Sequence, residues 1–265
     1  MTGSTVNNTA IVPSNGSNII ELKVVNGKIG KKEAVKYNKD GSVCKIKNNK
    51  KAGESSEVYA FKTKEEIADM LNVLNKHIEN AVDKEQKQIW CRNKLLFLIG
   101  INIGIRASDL RSLKWSFFLN EDGTFKDVYI LQPMKQKKYG KFVKLYFNQT
   151  VKRAVQNYLF TYPYEDIDEY LFTSRKGNEP IDVRSLWRII SNVAKEAGIK
   201  QNVGSHSLRK TWGYWCWHNA EDKNKALVII QKCLGHSSTQ VTLRYIGVQD
   251  KEIADIYYSI ELGEV

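Results

Sequence analysis

The stretch Leu234–Gly247 reads LGHSSTQVTLRYIG. Gly235 tolerates a positive φ, so it allows a tight turn at the end of a preceding helix. His236 then opens a new segment, and Tyr245 stands on or just after a short helix that follows. By themselves a glycine–histidine pair and a later tyrosine specify no reaction. Their meaning depends on what else the chain carries to them.

Upstream, SHSLRKTWGYWCW spaces His206 and Arg209 three residues apart, on one face of a helix. An imidazole and a guanidinium on one face suit a shared anion; a solvent-facing histidine at a helix start is the competing reading. Trp212, Tyr214, Trp215 and Trp217 are read as packing residues rather than base-stacking ones. Earlier, GINIGIRASDL sets Arg106 directly after an apolar helix. A guanidinium there needs a partner, either a phosphate or an ion pair with Asp109. Between these segments MKQKKYGKFVK, Met134–Lys144, carries five lysines. A lysine-rich hairpin suits a nucleic-acid backbone, and a lysine at its tip suits proton delivery to a leaving alkoxide. A solvated turn is the plainer alternative.

Composition points the same way. Lys plus Arg number 41 against 29 Asp plus Glu, a net charge of +12 over 265 residues. That excess favours a polyanionic partner, nucleic acid before an anionic membrane. No apolar run approaches a bilayer span, and MTGSTVNNTA is not a signal peptide. Cys44, Cys91, Cys216 and Cys233 are scattered without a CxxC pair, so a reduced, cytosolic protein without disulfides or structural zinc is expected. The chain carries no Walker loop, GxGxxG, GxSxG or HExxH. Its one DxD, Asp166 and Asp168, lacks a second carboxylate cluster and reads as a solvated loop.

Residues 1–18 are polar and expected to be disordered. Residues 19–57 form a basic, strand-like segment and linker, with turns at Asn26-Gly27 and Asp40-Gly41. The main body, 58–265, begins with a capping box at TKEE, Thr63–Glu66. Helices are predicted over about 67–78, 84–104, 149–160, 183–197, 206–218, 224–234, 239–246 and 251–259, with another short one capped by Ser108 or a neighbour. Strands 127–133 and 141–147 form a hairpin, and YLFTS, 170–174, is a short extended piece. The fold class is therefore mainly α with a small antiparallel β-sheet.

Taken in order, GIRASDLRSLKW, KKYGKFVKLYFN, HSLRKTWGY and LGHSSTQVTLRYIG resemble the tyrosine recombinase, or phage integrase, family from about Val58 onward. The resemblance implies that family's catalytic-domain fold and a cytoplasmic, nucleoid-associated enzyme on double-stranded DNA. It also implies self-association as a tetramer in the synapse, with no membrane, cofactor or metal. Tyr245 would attack a DNA phosphate to give a 3′-phosphotyrosyl bond and a free 5′-hydroxyl. Arg106 and Arg209 would clamp the non-bridging oxygens, His206 would act as base, and His236 would hydrogen-bond the phosphate. Lys138 aligns with the general acid, with Lys135 the alternative. Lys135, Lys137, Lys141 and Lys210 are read as DNA contacts. Two features depart from the family. Tyr146-Phe147 replaces a Pro-Leu pair, and 1–57 is too short and strand-like for the usual helical core-binding domain. A type IB topoisomerase-like relaxing enzyme and a non-catalytic DNA-binding regulator are the alternatives.

Overall fold

The computed structural model describes residues 58–135, 140, 142–174, 177–248 and 257–260, together with the backbone of five strands between 9 and 44. It divides into two compact units, Met1–Ser55 and Ser56–Val265. In the first, β1 (Thr9–Pro13) pairs antiparallel with β2 (Ile19–Val25), which pairs with β3 (Lys28–Ile29). β4 (Lys36–Tyr37) pairs with β5 (Val43–Cys44). The turns expected at Asn26-Gly27 and Asp40-Gly41 lie outside the described residues. Thr9–Pro13 differs from the expectation of disorder over 1–18. IIELKVV offers a strand edge whose amides and carbonyls need partners, and TAIVP supplies them.

The second unit is helical. α1 (Lys64–Glu79) starts at the predicted capping box: the Glu66 amide donates to Thr63 Oγ1 at 3.1 Å and the Thr63 amide to Glu66 Oε2 at 3.2 Å. α2 (Lys84–Ile103) starts at Asp83 and stops at Gly104, whose φ of 69° a Cβ-bearing residue rarely adopts. Its apolar stretch is the centre of the main core, with Leu96, Phe97 and Ile99 fully buried. α3 (Ala107–Arg111) follows, then an antiparallel hairpin of β6 (Val128–Leu131) and β7 (Val143–Tyr146), in which Val128 faces Tyr146 and Leu131 faces Val143. α4 (Gln149–Thr161) packs on α2. β8 (Thr173–Ser174) and β9 (Gly177–Pro180) form a second hairpin where the sequence suggested one extended piece. α5 (Val183–Glu196), α6 (Ser205–His218), α7 (Lys223–Leu234) and α8 (Thr239–Ile246) complete the unit. The helix predicted over 251–259 lies mostly outside the described residues. No helix among the described residues is long and apolar enough to cross a membrane.

α6 is the hub that positions the site, packing on α2, α5, α7 and α8. A Cβ on Gly100 would meet Leu208 at 2.6 Å, so glycine lets α2 and α6 approach closely. A Cβ on Gly213 would meet Ile246 at 2.8 Å, so the same device brings α8 against α6. A second, smaller core of Ala60, Tyr214, Ile230, Leu234, Ile246 and Val248 lies under α8. Trp212, Trp215 and Trp217 pack against it, as packing residues should.

Candidate active site

Two helices end at this site. α2 stops at Gly104 and α7 at Gly235, φ 68°, both left-handed. The carbonyls of a last turn have no partner within their helix and carry the negative end of its dipole. Arg209, brought in by α6 and only 6% exposed, answers both ends: Nη1 donates to Gly104 O at 2.8 Å and Nη2 to Leu234 O at 2.9 Å. Arg106 caps α3 from an extended backbone (φ −70°, ψ 153°), and its Nη2 lies 3.5 Å from Leu234 O. The two guanidiniums therefore converge on one carbonyl.

The ion pair weighed for Arg106 is not formed with Asp109. The buried Asp109 carboxylate instead accepts the Met134 amide at 2.9 Å, which fixes the start of the lysine loop. Nor does a serine cap α3; Arg106 itself holds the cap position without a side-chain bond.

The segment after α7 is equally fixed. The His236 amide donates to Gln231 O at 3.1 Å, and Gln231 Nε2 donates to His236 O at 3.2 Å. Ser238 caps α8 by accepting the Val241 amide. His236 Nδ1 and Ser238 O each lie 3.1 Å from Thr242 Oγ1. That hydroxyl donates its one hydrogen to Ser238 O and can accept from Nδ1–H, or it can turn to donate to Nδ1. The second arrangement leaves the ring hydrogen on Nε2, the tautomer an anionic oxygen selects. The His236 ring meets Tyr245 edge to face, centroids 4.8 Å apart. On the same tyrosine ring Lys210 Nζ sits 5.3 Å from the centroid.

Titration follows the geometry. Burial pushes the Tyr245 phenol above its ordinary range; the Arg209 and Arg106 charges and a side-chain hydrogen bond with Arg209 oppose that. Burial and then Arg209, Lys135, Lys210 and Arg106 hold His206 below the usual imidazole value, although part of the ring is exposed. Burial, Arg209 and Arg106 lower His236 in the same way. A protonated phenol thus stands among cations and two imidazoles held neutral. Such a site attracts an anion and can take a proton from the phenol once that anion is bound.

Of the residues expected from the sequence, Arg106, His206, Arg209, His236 and Tyr245 come together here. Lys135 is exposed, directly after Met134, and near enough to depress His206. Lys137, Lys138 and Lys141 lie outside the described residues. Lys210 differs from the expectation of a DNA contact: it is buried, over the Tyr245 ring, because its place on α6 points it under α8. Sequence reasoning missed Thr242 and the role of Asp109. Thr242 stands three residues before Tyr245, one turn away on the same helix, which is a weak but legible signal. The Gly104 and Leu234 carbonyls left no trace in side-chain chemistry.

A model of the phage integrase family matches residues 61–252. The chain is 31% identical over 159 residues to the probable integrase/recombinase YoeC of Bacillus subtilis, covering 60% of this chain and 79% of YoeC. It is 32% identical over 187 residues to tyrosine recombinase XerH of Campylobacter jejuni, covering 70% of this chain and 47% of XerH. It thus spans about half the length of XerH. A crystal structure of XerA recombinase shares the fold at a TM-score of 0.55 and 20% identity, over 78% of this chain and 65% of that one. XerH bound to its difH substrate, in a pre-cleavage complex, does so at 0.53 and 18%, over 84% of this chain and 59% of that one. The family match runs from Phe61, just before α1, to beyond Tyr245, across the whole constellation just described: this chain belongs to the phage integrase family.

Proposed function

We propose that this chain is a site-specific DNA recombinase that cuts and rejoins double-stranded DNA through a 3′-phosphotyrosyl intermediate. The observation that carries this reading is the convergence of Arg106 and Arg209 on the Leu234 carbonyl beside Tyr245. Two fixed guanidiniums with a neighbouring phenol match the needs of phosphoryl transfer at a diester. The donors are held in place before the charge develops, so little reorganisation is required in the transition state. The Tyr245 oxygen forms a bond to phosphorus, and the bond to the 5′-oxygen breaks. The phenol proton passes to His206, and the 5′-oxygen takes a proton from Lys138, with Lys135 as the alternative donor. Arg106, Arg209 and the Nε2–H of His236 hold the non-bridging oxygens.

The named relatives and the DNA complex of XerH support a DNA partner, as does the +12 charge. Exchange between two duplexes calls for four active tyrosines, so the working assembly is a tetramer in the synapse. Such an enzyme acts in the cytoplasm, at the nucleoid.

The test uses nicked duplexes that tile the DNA on either side of the gene. Wild-type protein is expected to leave a covalent protein–DNA adduct on one of them, and Tyr245→Phe none, while both bind that duplex. An adduct with the phenylalanine variant would remove Tyr245 from the role. Strand exchange between two duplexes, beyond relaxation of supercoils, separates a recombinase from a topoisomerase-like enzyme.

A further inference from the structure

α8 carries Tyr245 but is short, and its C-terminal end is held by a part of the chain far away in sequence. Residues 58–62 run as an extended strap across α6, directly after the boundary between the two units. The Phe61 amide donates to Thr211 Oγ1 at 2.9 Å, and Trp215 Nε1 donates to Phe61 O at 2.9 Å. The Tyr59 amide donates to Asn202 O at 2.7 Å. Glu66, the capping-box residue of α1, accepts the Lys62 amide at 2.8 Å. The backbone of the strap is thereby fixed along its length.

From this strap two groups reach α8. Ala60, 3% exposed, packs in the same small core as Ile246 and Val248, which flank the end of the tyrosine helix. Lys62 Nζ donates to Gly247 O at 2.6 Å. Gly247 is the left-handed residue that ends α8, φ 72°, so the ammonium sits at the negative end of the helix dipole. A Cβ on Gly247 would meet Nζ at 3.1 Å and Cε at 3.4 Å, so the lysine lies directly on the glycine. The ammonium is also 5.7 Å from the ring centroids of Tyr59 and Tyr214, one on the strap and one on α6. Lys62 thus joins the strap, α6 and the last residue of the tyrosine helix at a single charged group.

We infer that Lys62 is a positioning residue for the nucleophile: by holding the Gly247 carbonyl it sets where α8 ends, and so where Tyr245 stands relative to Arg106 and Arg209. Lys62 touches neither phosphate nor phenol, and its effect is carried by the helix. The inference rests on the recombinase reading above. It adds that the segment leading out of the N-terminal unit is mechanically part of the catalytic centre.

The experiment measures single-turnover adduct formation on the tiled nicked duplexes, with DNA affinity and unfolding temperature followed in parallel. Lys62→Met keeps an apolar stem between the two tyrosine rings and removes the ammonium. The expected result is a fall in adduct rate at saturating DNA of roughly ten- to a hundredfold, the scale of a small misplacement of a reacting group. DNA affinity stays at the wild-type value, and Lys62→Arg, which keeps a charged donor, restores most of the rate. Should Lys62→Met be unfolded at the assay temperature, Lys62→Gln carries the same comparison. A wild-type adduct that the Met variant forms equally fast overturns the positioning role alone. So does a rate that Lys62→Arg fails to restore, or one lost together with DNA affinity. Absence of adduct with wild-type protein on every duplex overturns the recombinase reading, and this inference with it.

Discussion

The Arg209 guanidinium and the Leu234 carbonyl meet at 2.9 Å at the last turn of α7, whose carbonyls have no partner within the helix. The same guanidinium answers the end of α2 at Gly104 O. One side chain therefore completes two helix ends and hydrogen-bonds with Tyr245, the proposed nucleophile, so stability and the proposed chemistry are joined at a single residue.

Arg209→Met should accordingly show both losses. Removing the fork leaves the buried Gly104 carbonyl without its partner and Leu234 O with only the long contact to Arg106, at a cost of about 2 kcal/mol in urea unfolding. Adduct formation should fall roughly a hundredfold or more, the scale seen when one fixed donor is removed from a developing oxyanion. Arg106→Met, at a half-buried residue with one long contact to Leu234 O, should cost much less stability and a similar part of the rate. Equal destabilisation by the two variants would contradict the helix-end account.

Gly104→Ala places a methyl 2.2 Å from Trp212 Cδ2 on a backbone of φ 69°. Strain and overlap together should destabilise the protein by about 3 kcal/mol. Gly123→Ala, at φ 79° with nothing within 4 Å, is the control. It should cost about 1 kcal/mol, the backbone contribution alone. Thermal or urea unfolding of the pair separates close packing from φ preference.

The general acid can be assigned by the leaving group. A 5′-bridging phosphorothiolate departs without a proton, so it should restore cleavage to Lys138→Ala but not to Arg209→Met. Rescue of Lys135→Ala instead would move the acid to Lys135, the lysine whose charge reaches His206.

The pH dependence follows from the direction of the histidine shifts. Burial and the arginine charges lower the pKa of both His206 and His236, so each stays neutral further into acid than a free imidazole. The proton-accepting form therefore persists as pH falls, and is lost only below the ordinary value of about 6.5. The acid limb of kcat/KM for adduct formation should lie below that value. In Arg106→Gln it should move upward, since one of the lowering charges is gone. A wild-type limb at or above the ordinary histidine value would contradict this electrostatic picture.

Much of this was legible along the chain. The Thr63–Glu66 capping box, the glycine turn at 235 and the helix Thr239–Ile246 are local features, set by hydrogen bonds and φ preferences spanning a few residues. The spacing of His206 and Arg209 likewise required only that the segment be helical. The order and spacing of guanidinium, imidazole and phenol carried the resemblance to the family, and that resemblance implied the reaction class. Tertiary structure alone decided which partners these groups keep. Asp109 turned from a presumed partner of Arg106 into the cap of the lysine loop, and Lys210 from a DNA contact into a buried cation over Tyr245. The Gly104 carbonyl lies 105 residues from the arginine it aims, and Lys62 lies 185 residues from the helix end it holds. Backbone carbonyls look alike at every position in a sequence, and a lysine beside a capping box looks like any surface lysine. Only when α2, α6, α7 and α8 pack does the loss of water around their ends make those groups scarce and directional.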